Sequence, residues 1–217
     1  MNLDVYKNKF IVFEGADSSG KSSTCNLFVE FLTQAGIPVE WTFQPGDLKH
    51  GPMAPLLRSF CKDKRNNLSE YGNLFAFLLD RAEDVDKVIR PALKAGKTVV
   101  CDRYTYSTIA YQLHGKKLLE DIIHTCGTDI AAALLEWFKN PYTDVKPDIV
   151  YYFPERVGNR IDDPNDKFDL AGDDFTNRVN TAYRKMAEDS IWRTVAPGKD
   201  APSTLNNILI LENIFRS

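Results

Sequence analysis

Gly15-Ala16-Asp17-Ser18-Ser19-Gly20-Lys21-Ser22 completes the pattern G-x-x-x-x-G-K-[ST], and those residue types at that spacing can hold a polyphosphate. Gly15 and Gly20 let the backbone curl until successive N–H groups point inward at an anion. Lys21 adds a mobile positive charge for the β- and γ-phosphates, and the Ser22 hydroxyl can serve Mg²⁺. The loop from Gly15 through Ser23, with Ala16, Asp17, Ser18 and Ser19 inside it, is therefore the candidate ATP site. The pattern needs a strand before it and a helix after it. Lys9-Phe10-Ile11-Val12-Phe13-Glu14 reads as that strand, and Phe28, Phe31, Leu32 and Ala35 recur at helical spacing.

A second group, Asp102-Arg103-Tyr104, follows the apolar run Thr98-Val99-Val100-Cys101. Ligands of parallel α/β sheets gather at the carboxyl ends of the strands. There Asp102 can hold Mg²⁺ or its waters, and Arg103 can grip a second phosphate with a bidentate fork. An ordinary strand-end salt bridge would use the same residues; the glycine loop favours the functional reading. A third group is Phe77 with Arg81, one helical turn apart on a face shared with Leu74, Leu78 and Val85. A ring beside a guanidinium suits a flat, carbonyl-bearing nucleobase. Spacing alone serves equally well a core phenylalanine and an arginine paired with an acid such as Glu83.

These groups need a scaffold, and strands alternate with helices along the chain. Val39–Phe43 reads as a second strand, broken by Gln44-Pro45-Gly46-Asp47, and a short helix is expected near Ala54–Cys61. A long helix is expected from about Ser69 to Lys94, then the strand Thr98–Cys101 and helical patterns over Tyr104–Lys139. Pro147–Phe153 reads as a strand, a charged segment runs from Glu155 to Asp174, and a helix follows through about Trp192. Ile208-Leu209-Ile210-Leu211 reads as the strand that closes the sheet. The expectation is an α/β fold of the P-loop NTPase kind: a three-layer α/β/α sandwich on a parallel five-stranded sheet, residues 1–217 as one domain, with a mobile lid at about 155–174.

The 217 residues carry a net charge of −3, which argues against nucleic-acid binding as the main activity. Four scattered cysteines without a C-x-x-C pair, and three histidines without H-E-x-x-H spacing, argue against a disulfide framework or zinc site and for a reducing cytoplasm. No signal sequence or membrane-spanning run is evident, so no membrane partner is expected.

The chain resembles the thymidylate kinase family. The resemblance runs through Phe13-Glu14-Gly15-Ala16-Asp17, the phosphate loop, Thr42-Phe43-Gln44-Pro45-Gly46, Asn73–Arg81, Lys97–Gln112 and Lys146-Pro147-Asp148. It implies transfer of the γ-phosphate of ATP to dTMP, with Mg²⁺, by a homodimer. It also implies that Asp17 bonds the acceptor's 3′-hydroxyl, Phe77 stacks on thymine, Arg81 donates to its O4, and Arg103 grips the 5′-phosphate while Asp102 orders the metal. Thr108 and Gln112 match positions facing the base, Tyr111 matches the ring that crowds a 2′-hydroxyl, and Phe43, Gln44, Pro45 and Ser107 fall within the acceptor-binding segments.

The chain also departs from the family. Phe43 and Gln44 stand where members often carry charged residues, and Asp47 where glycine is common. Ser18 and Ser19 cannot supply the catalytic arginine that some relatives place in the loop, so the charge is expected from Arg156, Arg160 and Lys167 of the lid. Lys167-Phe168-Asp169 resembles the family's R-[YF]-E segment, next to an acidic stretch from Asp162 to Asp166. The chain ends soon after Leu211, where relatives commonly continue through a last helix, so adenine recognition is poorly defined. Two other classes compete. A deoxynucleoside kinase would want a carboxylate base at the end of the second strand, where Gln44 stands. A GTP-dependent switch would want N-K-x-D, and Asn8-Lys9 is followed by Phe10-Ile11.

Overall fold

The computed structural model describes residues 2–155 and 165–214. The first strand, β1 (Phe10–Gly15), is buried along its whole length, as a central strand covered on both faces must be. The glycine loop leads from it into α1 (Lys21–Gln34); β2 (Val39–Phe43), α2 (Ala54–Lys62), α3 (Glu70–Asp84), α4 (Arg90–Lys94) and β3 (Thr98–Asp102) follow. Next come α5 (Thr105–Thr108), α6 (Leu118–Cys126), α7 (Thr128–Lys139), β4 (Ile149–Phe153), α8 (Asp173–Met186), β5 (Trp192–Thr194) and α9 (Ala201–Leu211). All pairings are parallel, in the order β2-β3-β1-β4-β5. The strand period of two divides the core. Phe10, Val12, Val99, Cys101, Val150 and Tyr152 face one helical layer, and Ile11, Phe13, Val100, Ile149 and Tyr151 face the other. The expected α/β/α sandwich on five parallel strands is the fold observed.

Two sequence expectations fail at the end of the chain. The fifth strand is the short Trp192–Thr194, and the helix expected to reach Trp192 ends at Met186. Ile208–Leu211 lies in α9, not in the sheet. A four-residue apolar run fits a strand or a buried helix equally, and here the local start signal decides. Asp200 accepts from the Ser203 amide while Ser203 returns a bond to Asp200, a capping box, and Pro202 sits in the first turn. Thr204 and Ile208, one turn apart, then face the core beside Leu209 while Ile210 is exposed.

The long helix expected over 69–94 is continuous but not uniform. Ser69 caps it, and a widened π-helical turn at Val85–Ile89 separates α3 from α4. Pro91 has no N–H and its ring crowds the carbonyl four residues earlier, so the helix loosens just before it. A second π-helical stretch, Ile109–Gly115, follows α5 and carries Tyr111 and Gln112. Such turns often mark functional segments.

Candidate active site

Gly15 opens the phosphate loop at φ +149°, and a Cβ there would sit 2.4 Å from the Phe153 carbonyl oxygen, so only glycine fits. Gly20 at φ +83° turns the chain into α1, and Ser18 is also left-handed. The resulting cleft, about 210 Å³, is walled by residues 16–23 and by Arg103. Lys21 is buried and reaches Asp102 at the end of β3, and Ser22 bonds the same carboxylate. Burial would raise the Asp102 carboxyl, but Lys21 and then Arg103 outweigh it and hold it below its usual value. Asp102 and Ser22 thus set a carboxylate and a hydroxyl side by side, hard oxygen donors of the kind Mg²⁺ takes together with phosphate oxygens. Among the described residues no group of three or more His, Cys, Asp or Glu could hold a metal on its own. The donor set therefore fits an ion completed by nucleotide.

Arg103 stands at φ +72°, a left-handed conformation costing about 1 kcal/mol or more for a residue with a side chain. Its surroundings hold it there. Its guanidinium donates to Asp17 Oδ1 at 2.7 Å and to Ser107 Oγ at 3.2 Å, and lies 5.2 Å from the centre of the Tyr111 ring. Tyr111 donates to the other Asp17 oxygen at 2.6 Å. Burial acts to raise the Asp17 carboxyl; Arg103 first and Lys62 next overcome it, leaving the group well below the usual carboxylate range. Behind this cluster lies Glu14, fully buried. It accepts from the Tyr104 and Ser107 amides, the Ser107 hydroxyl and the Tyr183 hydroxyl, and so pins the turn that carries Arg103. Burial pushes the Glu14 carboxyl up despite those bonds and the Arg103 charge.

A second, narrow cleft adjoins the first across Arg103 and Asp17. Phe77 forms one wall, with Pro45 beside it, and Phe168 faces Phe77 with ring centres 6.0 Å apart. Gln112 also lines it; this side chain is buried and its amide nitrogen has no partner. Such an orphan donor is costly unless a ligand acceptor meets it. Gln44, Arg81 and Thr108 lie beneath this cleft rather than on its wall. Arg81 donates to Gln44 Oε1 at 2.9 Å, Thr108 Oγ1 at 2.8 Å and the Tyr104 carbonyl at 2.9 Å. Its partner is thus not Glu83, which pairs with Lys87.

Some expected residues stand elsewhere. The Phe43 ring packs against Trp41 and beneath Arg58, away from the cleft lining. Lys167 does not turn toward the loop: its ammonium donates to the Phe60 carbonyl at the end of α2 at 2.9 Å. Burial lowers its affinity for a proton. Arg156 and Arg160 lie outside the described residues. Glu14, Tyr183, Lys62 and Phe168 were not among the site residues named from sequence. Lys62 lines the acceptor cleft and pairs with Asp166 at 2.6 Å. Glu14 carried a usable signal, being an acid inside an apolar strand immediately before the loop, and Phe168 lay in the segment that resembles the family's R-[YF]-E.

Comparison with known proteins agrees with this geometry. The family model described as thymidylate kinase matches residues 13–201. The chain is similar to a thymidylate kinase of Desulfovibrio desulfuricans, 33% identical over 83% of this chain and 82% of that one. One from Chlorobium chlorochromatii is 32% identical over 93% of this chain and 92% of its own length. Among solved structures, the thymidylate kinase from Ehrlichia chaffeensis superposes with a TM-score of 0.69 at 26% identity, covering 94% of this chain and 98% of that one. With the family model matching most of its length, relatives above 30% identity covered over four-fifths or more, and a glycine loop and an arginine-walled cleft on one parallel sheet, the chain belongs to the thymidylate kinase family.

Proposed function

We propose that this enzyme transfers the γ-phosphoryl group of ATP to dTMP, giving dTDP. The observation that carries the reading is the position of Arg103, which walls both the phosphate-loop cleft and the adjoining one. Two anion sites therefore share a boundary a side chain wide, as in-line transfer between two nucleotides requires.

The acceptor phosphate is already anionic, so attack needs no general base, and catalysis reduces to alignment and cancellation of charge. Lys21 is held by Asp102 until nucleotide oxygens compete for it. Ser22 and Asp102 would hold Mg²⁺, whose positive charge would offset that of the donor phosphates. Arg103 holds the acceptor phosphate in line, and the Asp17 carboxylate, fixed by Arg103 and Tyr111, receives the sugar 3′-hydroxyl. Phe77 covers the base, the free Gln112 amide meets a ring carbonyl, and Arg81 keeps two N–H hydrogens beyond its present bonds. Residues 1–217 form one domain whose lid, about 155–174, supplies further charge through Arg156 or Arg160, since Lys167 is committed to α2.

A homodimer is supported by the exposed stripe Tyr71, Phe75 and Leu79, one turn apart along α3 and unpartnered in the single chain. A cytoplasmic setting is supported by four free cysteines. No described helix is long and apolar enough to cross a membrane. The deoxynucleoside-kinase reading is less well supported: among the described residues Glu14 is sealed behind Tyr104, Ser107 and Tyr183, Asp17 is paired with Arg103 and Tyr111, and the position just after β2 is Gln44 rather than a carboxylate. The test is ADP release measured with dTMP, with thymidine and with no acceptor. Turnover with dTMP alone is expected; thymidine as the preferred acceptor would sink the assignment.

A further inference from the structure

Beneath the acceptor cleft lies a chain of polar side chains, cut off from solvent, that phosphoryl transfer as described above does not use. His50, at the end of a short turn of helix after β2, is 2% exposed, and Asp80 and Asp84 on α3 are 1% and 0% exposed. His50 Nδ1 lies 3.1 Å from Asp80 Oδ1, and Nε2 lies 3.0 Å from Asp84 Oδ1. Both ring nitrogens thus face carboxylate oxygens. A neutral imidazole has one N–H, so one of these contacts would set a lone pair against a carboxylate; only the imidazolium donates to both. Charge balance says the same. Asp80 and Asp84 are two negative charges enclosed with one cation, Arg81, and a neutral His50 would leave one negative charge unmatched where water cannot reach it.

The network continues to the cleft. Asp84 accepts from Thr42 Oγ1 at 2.8 Å and from Gln44 Nε2 at 2.6 Å, which turns Gln44 Oε1 toward Arg81 Nε. Asp80 Oδ1 also accepts from the Gly46 amide at 2.9 Å. Asp80 and Asp84 therefore tie both ends of the Gln44–Gly46 turn to α3, His50 bridges the two carboxylates, and Pro45 at the centre of the turn lines the acceptor cleft. We propose that His50 is a buried imidazolium and a positioning residue for the acceptor nucleotide, holding Gln44, Arg81 and the Pro45 turn in binding order through Asp80 and Asp84. The inference rests on the acceptor-site reading given above.

Other charged groups around His50 leave this arrangement intact. Lys87, from the π-helical turn after α3, donates to the His50 carbonyl at 2.9 Å and is itself paired with Glu83. Lys49 is bound to Glu40 on β2. From α2, Arg58 holds the Pro45 carbonyl and the Cys61 thiol is pushed up by burial and by Asp80. Burial by itself would lower the His50 pKa, but the bonds to Asp80 and Asp84 prevail and raise it to about 9. The folded state thus favours the charged form. Its contribution is complete below the ordinary value of 6.5 and is lost as pH rises through about 9.

The experiment combines ¹⁵N imidazole NMR of the intact wild-type enzyme with steady-state kinetics from pH 7.5 to 10, on wild type and H50Q. Two protonated ring nitrogens are expected at pH 7.5, titrating near pH 9. Over the same window the wild-type KM for dTMP should rise about tenfold, the scale of one lost charge-assisted hydrogen bond, while the KM for ATP stays level. H50Q should show the raised dTMP KM already at pH 7.5 with a flattened profile, the loss falling on KM more than on kcat. A neutral His50 ring at pH 7.5 overturns the proposal, and so does a folded H50Q with wild-type dTMP KM. If H50Q does not fold, the wild-type profile decides: a dTMP KM that stays flat across the imidazole titration overturns it. Absence of any dTMP turnover by wild type would overturn the acceptor reading as well, whereas turnover with a flat KM overturns this inference alone.

Discussion

The donor side of this active site is made of backbone and the acceptor side of buried side chains. On the donor side, Gly15 and Gly20 shape the loop, and the protein adds one principal charge, Lys21, parked against Asp102. On the acceptor side, Arg103, Asp17, Tyr111, Glu14, Gln44 and Arg81 come from five separate segments and are locked to one another before any nucleotide arrives. A backbone cradle suits any polyphosphate and leaves discrimination to other parts. A preformed polar network discriminates, because a mismatched acceptor leaves buried groups without partners.

Substitutions on the two sides should therefore fail differently. The largest effect is expected for Lys21→Ala. Turnover should fall by at least about a thousandfold with every acceptor, since a transition-state charge is lost whichever nucleotide attacks. The variant should still fold, although leaving Asp102 buried without its cation costs about 3 kcal/mol. Normal steady-state rates would refute the loop assignment. Arg103→Ala should lower kcat/KM for dTMP by roughly a hundredfold or more, through both parameters, with the KM for ATP changing much less. An unaltered kcat/KM would remove Arg103 from the acceptor site and erase the contrast.

Tyr111→Phe is expected to do less to turnover and more to selectivity. Losing the bond to Asp17 leaves that carboxylate held by Arg103 alone, and the preference for dTMP over its ribonucleotide counterpart should fall roughly tenfold in competition assays. A ratio that does not move would mean the Tyr111 hydroxyl takes no part in sugar recognition. The smallest effect concerns acid. Asp17 and Asp102 both have carboxyls held below their usual value of 3.8, so their stabilisation is full above that value and is lost as pH falls through the depressed range. Thermal unfolding midpoints of wild type should drop on acidification below pH 4, and the drop should be shallower in Arg103→Ala, which lacks the main cation beside Asp17. Identical acid profiles in the two proteins would contradict the electrostatic account.

The same contrast explains what could be read from sequence. The glycine loop is local: eight consecutive residues with fixed backbone needs, flanked by period-2 and helical patterns, so its strand, its helix and Lys21 were all legible. Asp102 and Arg103 were legible from a strand end and Phe77 from a helix face, whereas Gln112 was marked only by the family resemblance. The Asp80–His50–Asp84 network was not legible, since it joins a loop to a helix across thirty residues and its burial is a tertiary fact. Arg81 was marked as needing a partner, but spacing offered Glu83, whereas the fold supplies Gln44 and Thr108. Lys167 is expected from the resemblance to bring charge to the loop, whereas its ammonium donates to a carbonyl near the end of α2, a tertiary contact that no local pattern shows. Ile208–Leu211 reads as a strand from its β-branched and apolar content alone, and the capping box at Asp200 that makes it helical shows only in the structure.

The two-sided account is tested most directly by a crystal structure of the enzyme with dTMP and a non-hydrolysable ATP analogue bound together. It predicts the analogue's phosphates on the amides of residues 15–22 with Lys21 turned from Asp102 toward them, and the dTMP phosphate on the Arg103 guanidinium in line with the γ-phosphate. A dTMP phosphate bound away from Arg103, or both nucleotides competing for the glycine loop, would contradict it.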